Sequence, residues 1–434
     1  MSTNTSAQHL FKGAKLALFQ LTMIMIGFSL FVDSVNGFFL EGLGIDPKLS
    51  AMYKLLMLIM ILFQIASYSQ RTFTYLLTLI TTLMIGPALN LIESHDGVGL
   101  LEDFIALIKL LTPLVVFIYI SLVASIDNQR VIKYGIRALQ AAFLILLGNL
   151  VLGTMGFGYA SYSTGDVGVK GFFYAGNEVS GLFIVLFAWF LHQAWQKNSI
   201  TKYAIASGLT MLFGLLIATK AAMLASALMV YCIPLMNDRN RLLNLTWVKV
   251  KLILPLVVLI VLLSLFIVPV LESTGIWGRM VWFYEKKGIL GLLFSGRDEF
   301  VVDGFTAFYY QAGFLQYIFG FGQSGLGEIT KASMEIDPLD MFLWFGAIGL
   351  IIYSLLSVLF LRNAYLATRG GSTGLAPAVL LMNILLIGVS VVAGHIFTSG
   401  MLGPFVGLIN GLVYAELLVQ KAKQDQQNDL LKDR

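Results

Sequence analysis

LILPLVVLIVLLSLFIVPVL, running from Leu252 to Leu271, is twenty residues without a charge. At about 1.5 Å per residue it crosses roughly 30 Å of hydrocarbon as one helix, and that decides the fold class. The rest of the chain agrees. Of its 434 residues, 58% are hydrophobic and 12% charged, with a mean hydropathy of +0.84, whereas soluble domains carry about 25% charged residues. An all-α integral membrane protein is expected, one polytopic domain over residues 1–434 with no linker and no internal repeat. The lone Cys232 excludes an intrachain disulfide and a cysteine-based metal site. The first residues are polar and the first apolar run is long enough to stay in the membrane, so no cleaved signal peptide is expected.

Hydropathy predicts about twelve spanning helices. Their cores are 15–31, 53–66, 73–91, 104–123, 136–155, 179–195, 203–217, 221–236, 252–271, 341–361, 376–393 and 403–419. With the N-terminus inside, cytoplasmic ends collect Lys12, Lys15, Arg71, Arg130, Lys133, Arg137, Lys197, Lys202, Arg239, Arg241, Lys249, Lys251, Arg362, Arg369, Lys421, Lys423 and Arg434. The opposite loops collect Asp33, Glu41, Asp46, Glu93, Asp96, Glu102, Asp103 and Asp166. Positive charge inside puts both termini in the cytoplasm, including the polar tail at about 420–434. One large extracytoplasmic loop, about 272–340, then joins helices nine and ten.

That loop carries the largest set of charges outside the tail, among them Arg279, Arg297, Asp298, Glu299, Glu335, Asp337 and Asp340. Glu335 is the first choice for a general base, which must reach an acceptor hydroxyl. IDPLD has the form of a helix start, with Asp337 as N-cap, Pro338 at the first helical position and Asp340 in the first turn. Arg297 either binds an anion or is locked against Asp298 or Glu299. Trp277, Trp282, Phe283 and Tyr284, beside Glu285, Lys286 and Lys287, suit a segment lying on the outer leaflet, and also suit stacking on sugars. GFGQSG (320–325) matches GxGxxG but lacks a βαβ context, so neither a nucleotide nor a nucleic-acid partner is expected. His395, at the outer end of helix eleven, either faces the site or caps and packs there.

Several cations stand on the outer side, against the charge rule. Ordinary solvated pairing accounts for Lys48 and Lys170. Lys54 and Lys109 fall near outer helix ends, where snorkelling explains them as well as a site does. Lys220 lies in the tight link LLIATKAAM and needs a partner. Together these cations suit a phosphate or pyrophosphate at headgroup depth. GFFYAGNEVSG (171–181) reads as a tight, re-entrant approach to helix six, with Asn177 as its cap and Glu178 complementing its N-terminus.

GNE before helix six, ATK between helices seven and eight, SGR in the loop and EIDPLDMFLWFGAIG entering helix ten form one ordered series. The series resembles the O-antigen polymerase and ligase superfamily, most closely the Wzy-type polysaccharide polymerases. The resemblance implies a GT-C-like helical fold in the bacterial inner membrane, with the active site facing the periplasm. It implies polymerisation of oligosaccharide repeats linked to undecaprenyl pyrophosphate, without cofactor, nucleotide sugar or metal. Membrane lipids and a Wzz-type chain-length regulator are the implied partners. On this account Glu335, Arg297 and Asp337 are catalytic, and Lys220, Arg279, Lys109, Asn177, Glu178 and Asp340 hold pyrophosphate or sugar. The family's Ser/Thr-Arg pair is Thr219–Lys220 here, which keeps charge but loses the guanidinium fork. Ligases of the superfamily carry a His where Glu335 and Asp337 stand, which favours polymerase over ligase. A lipid-linked oligosaccharide flippase is the alternative of a different class, and it calls for mid-helix charges and repeats.

Overall fold

The computed structural model describes residues 2–161, 167–237, 247, 272, 276–369 and 374–432. The expected ninth span, 252–271, lies outside the described residues. Among those described, every regular element is helical apart from an isolated bridge between Tyr159 and Gly171. The order begins α1 (Ser2–Gly37, ending in the π turn Phe38–Gly42), α2 (Leu49–Tyr68), α3 (Gln70–Leu83), α4 (Ile85–Ser94) and α5 (Gly97–Ala124). It continues with α6 (Asn128–Thr154), α7 (Gly176–Gln196), α8 (Ile200–Ile217) and α9 (Lys220–Asn237). Next come α10 (Ile276–Phe294), α11 (Arg297–Gln311), α12 (Phe314–Phe319) and α13 (Gly322–Ile329). The last three are α14 (Asp337–Arg369), α15 (Ala376–Val392) and α16 (Gly403–Lys432).

Ten helical stretches are long and apolar enough to cross a membrane, and Ala376–Val392 is a shorter apolar helix. These account for all of the expected spans except 252–271, and the chain is a helical, multi-pass membrane protein. Short polar caps set the helix starts. Ser69 accepts from the Thr72 amide, Asp96 from Val98 and Asp127 from Arg130. Two expectations change in detail. The third span is two helices, because Pro87 has no N–H for the Leu83 carbonyl and the chain breaks at Met84. The segment expected as a large open loop is largely helical, built from α10 to α13.

α5, α7 and α16 are largely buried and form the middle of the bundle. The contact between α5 and α16 depends on Gly403, Gly407 and Gly411, one per turn along a single face. A Cβ on Gly407 would sit 2.6 Å from the Pro113 carbonyl oxygen, and one on Gly411 would sit 2.5 Å from Ile120. Small residues at this spacing let two backbones meet. Buried side-chain hydrogen bonds tie the helices further. Gln64 links Thr22 at 2.8 Å to Tyr119 at 2.6 Å, and Asn383 and Asn410 exchange amide bonds at 2.8 and 3.2 Å.

α14 is broken near its start. Gly346 has φ +63°, and α12 packs against this break, with the Phe321 amide donating to the Leu343 carbonyl at 3.0 Å. The short segment before the break is therefore free to take its own direction, and it carries Asp337 and Asp340.

Gly407→Ala is expected to lower stability by about 1–3 kcal/mol, because the added methyl meets backbone rather than a movable side chain. Gly388→Ala on α15, where nothing lies within 4 Å of the added Cβ, is the control and leaves stability unchanged or slightly raised. Thermal melting of both variants in detergent checks the difference.

Candidate functional site

The polar residues singled out in the sequence converge on one short loop, GHIFTSGML, residues 394–402 between α15 and α16. Two carboxylates hold it. Asp337, at the start of α14, is fully buried. Its Oδ2 accepts from the Ile396 and Phe397 amides, both at 2.9 Å, and its Oδ1 accepts from the Thr398 hydroxyl at 3.0 Å. Glu178, in the first turn of α7, accepts from the Ser399 hydroxyl at 2.5 Å and the Met401 amide at 3.3 Å. Irregular backbone between two apolar helices is thus satisfied by side chains from two others.

The same loop presses against Glu335. Gly394 has φ +61°, and a Cβ there would lie 2.4 Å from the Glu335 carbonyl oxygen, so this turn admits little but glycine. Glu335 itself has φ +58° and is held in that conformation from below. Asp340 accepts from the Met334 amide at 2.6 Å and the Ser333 hydroxyl at 2.8 Å. Ser333 in turn accepts from the Glu335 amide at 3.1 Å, and the Trp344 indole donates to the Ala332 carbonyl at 2.8 Å.

Fixed in this way, the Glu335 carboxylate gathers cations. Arg297 Nε and Nη2 approach Oε2 at 3.1 and 3.0 Å, and Lys331 donates to Oε1 at 2.7 Å. His395 Nε2 lies 4.0 Å from Oε2. Burial alone would raise the carboxyl pKa. The Lys331 hydrogen bond and the charges of Arg297, Lys331 and His395 outweigh burial and hold it below its ordinary value.

Arg297 opens α11 directly after Ser295 and Gly296, both in the left-handed region, and also donates to the Phe294 carbonyl at 3.3 Å. Lys220 reaches the same turn, donating to the Ser295 hydroxyl at 2.9 Å with its ammonium 5.6 Å from the centre of the Phe283 ring. Its neighbour Thr219 shares a 2.6 Å hydroxyl contact with Ser180, two residues after Glu178, and caps α9 through the Ala222 amide at 3.1 Å. On the other side of the loop, a Cβ on Gly400 would lie 3.4 Å from Lys109 Cγ and 3.6 Å from Lys54 Nζ. Lys54 is buried, paired with Asp33 and bonded to Ser50 at 2.7 Å. Lys109 is half-buried and makes no hydrogen bond or ion pair among the described residues. One face of the bundle therefore carries Lys54, Lys109, Lys220, Arg297 and Lys331 around a loop fixed by carboxylates. Such a set can neutralise a multiply charged anion.

Several expectations need correcting. Asn177 does not cap α7. Ala175 is the N-cap residue and makes no side-chain bond, while Asn177 lies half-buried inside the first turn. Asp337 directs its carboxylate across to residues 396–398 instead of to its own helix, because that loop presents two amides and a hydroxyl. Arg297 pairs with Glu335, not with Asp298 or Glu299, and Glu299 pairs with Lys287 at 2.7 Å. Lys170 is buried where it pairs with Glu41, rather than solvated. Arg279 sits on α10, and its side chain lies outside the described residues. GFGQSG is held by Asp103, which accepts from the Ser324 amide at 2.8 Å and hydroxyl at 2.6 Å. Lys331 and Ser399 were not singled out from the sequence. The small and polar run between helices eleven and twelve was the available signal for the loop itself.

A carboxylate whose pKa is depressed by folding contributes stability that is present above its unfolded pKa, and that is lost as pH falls through its folded pKa. The stability gap between wild type and Glu335→Gln is therefore expected to be full above pH 4.5 and to shrink below it. Melting temperatures of the two proteins from neutral pH to about pH 3 check this. A gap that widened on acidification would contradict it.

Compared with family models, with curated proteins and with solved structures, the chain matches none.

Proposed function

We propose that this protein is a glycosyltransferase of the bacterial inner membrane that polymerises oligosaccharide repeats linked to undecaprenyl pyrophosphate, acting at the periplasmic face. The observation that carries this is the Arg297–Glu335–Lys331 cluster beside the 394–402 loop, with Lys220, and Lys109, which has no ion pair among the described residues, on the same face. A lipid pyrophosphate carries its charge at headgroup depth; Lys220 and Arg297 stand at the first residues of α9 and α11, and Lys109, expected near a helix end, lies about three turns inside α5. The donor is already activated, so the chemistry needs a neutralised leaving group and an acceptor for one proton.

In the proposed step the bond between the anomeric carbon and pyrophosphate breaks, and a bond from the acceptor hydroxyl oxygen to that carbon forms. The pyrophosphate leaves with the electron pair, held by Arg297, Lys220 and Lys109, with Arg279 of α10 a further proposed cation. The hydroxyl proton passes to Glu335. Arg297 and Lys331 occupy both oxygens of that carboxylate. An arriving pyrophosphate competes for the same cations, which frees Glu335 and raises its basicity as the substrate binds. Asp337, Glu178 and Asp340 act by position, through the loop and the strap at residues 332–335; Asn177, beside Glu178 in the chain, is proposed to contact sugar.

A ligase transferring finished glycan to lipid A–core is the second reading. His395, which reaches within 4.0 Å of Glu335 from the loop after α15, favours it, since a histidine at this position suits activation of a different acceptor.

The test is surface glycan from a strain lacking its own polymerase, complemented with wild type, Arg297→Ala or Glu335→Gln. Wild type should give a polymer ladder. Each variant, inserted at wild-type level, should collapse it towards a single repeat, with turnover down by about 100-fold or more. Unchanged ladders from both variants would place the chemistry elsewhere. Transfer of preformed polymer with no ladder built would favour the ligase.

A further inference from the structure

At the end of α7 away from Glu178, roughly 25 Å along the helix, a cleft of about 340 Å³ opens between α6, α7 and α8. Gln140, Trp189, Phe190, Gln193, Lys197 and Lys202 line it. Nothing in the proposed chemistry uses this space. Its walls continue into lipid-facing rows. Leu144 on α6, one turn beyond Gln140, is 66% exposed, and Ile205 on α8 is 61% exposed, with Leu209 and Leu212 following on the same side. Its floor is the buried face of α7, including Trp189. Its mouth holds the exposed Lys197 and Lys202. Gln140, Gln193, Lys197 and Lys202 make no side-chain hydrogen bond or ion pair among the described residues.

Two cations at a mouth, uncharged amides below and apolar walls open to the bilayer match the successive layers of an anionic phospholipid. A soluble anion needs no apolar wall, and a neutral lipid needs no lysine pair. The cleft is large enough for the glycerophosphate part, and the chains would continue over Leu144 and Leu209 into the bilayer.

We propose that this cleft binds an anionic phospholipid, with its phosphate between Lys197 and Lys202, its ester groups at Gln140 and Gln193, and one acyl chain in the groove between α6 and α8. The site is separate from the 394–402 loop, and binding there does not depend on the chemistry proposed for that loop. It gives the bundle a lipid contact at the end expected to face the cytoplasm, where the lysines also satisfy the charge rule.

The experiment uses the full chain in detergent, observed by native mass spectrometry while phosphatidylglycerol or phosphatidylcholine of matched chain length is added. Wild type should retain one phosphatidylglycerol about tenfold or more in preference to phosphatidylcholine. Lys197→Gln with Lys202→Gln should weaken phosphatidylglycerol retention by roughly tenfold or more and leave phosphatidylcholine unchanged. Lys421→Gln with Lys423→Gln, on the exposed end of α16, should change neither. Brominated phosphatidylglycerol should quench a tryptophan signal that Trp189→Phe removes. Equal retention of the two lipids by wild type would overturn the proposal. So would an equal loss in the α16 pair, which means diffuse attraction to any basic surface. Displacement of the lipid by glycerol 1-phosphate at matched concentration would show a free-anion site and overturn it as well.

Discussion

A single buried carboxylate does most to define the site. Asp337 has no exposure, and both its oxygens are taken by two amides and a hydroxyl of residues 396–398. A loop between two apolar helices cannot leave those amides unpaired, since each would cost several kcal/mol at membrane depth. A charged side chain from the start of α14 supplies the acceptors, and Glu178 supplies the next ones along the loop. Once that loop is fixed, His395 and the turn at Gly394 lie against Glu335. The position of Glu335 in turn decides where Arg297 and Lys331 stand.

The ionisable residues therefore divide into two kinds. Asp337, Asp340, Glu178 and Asp103 are committed to backbone amides and hydroxyls and hold irregular segments in place. Glu335, Arg297, Lys331, Lys220 and Lys109 stand at the face of the bundle, where a charged substrate can compete for them. A buried carboxylate that accepts three hydrogen bonds has little capacity left for chemistry. A partly exposed one, paired with Arg297 and Lys331, keeps it. This is why Glu335, rather than Asp337, is the proton acceptor in the proposed step.

Much of this was legible in the sequence. Span positions followed from hydropathy because lipid leaves a helix little choice of composition, and Glu335 stood out as a charge outside the helix cap at Asp337. The partners were not legible. Arg297 and Glu335 are 38 residues apart in the chain, and Asp337 meets Thr398 across 61. Local rules gave Asp337 and Asn177 to helix caps, because capping is a near-neighbour interaction and sequence spacing reports only near neighbours. The break at Pro87 could be read from proline chemistry, whereas the break at Gly346 follows from the approach of α12. The contact of the α16 glycine face with Pro113 on α5 joins residues about 290 apart in the chain, beyond the reach of local spacing.

The central claim is that glycosyl transfer from a lipid pyrophosphate takes place at the Arg297–Glu335 face. The most direct measurement is made with purified protein and lipid-linked repeat units extracted from a polymerase-deficient strain. Free undecaprenyl pyrophosphate and glycan length are followed together. The account requires one lipid pyrophosphate released for each repeat joined, with no nucleotide sugar added. Repeat units left unjoined, while the same protein in sealed vesicles moves them across the bilayer, would contradict it and make the chain a transporter.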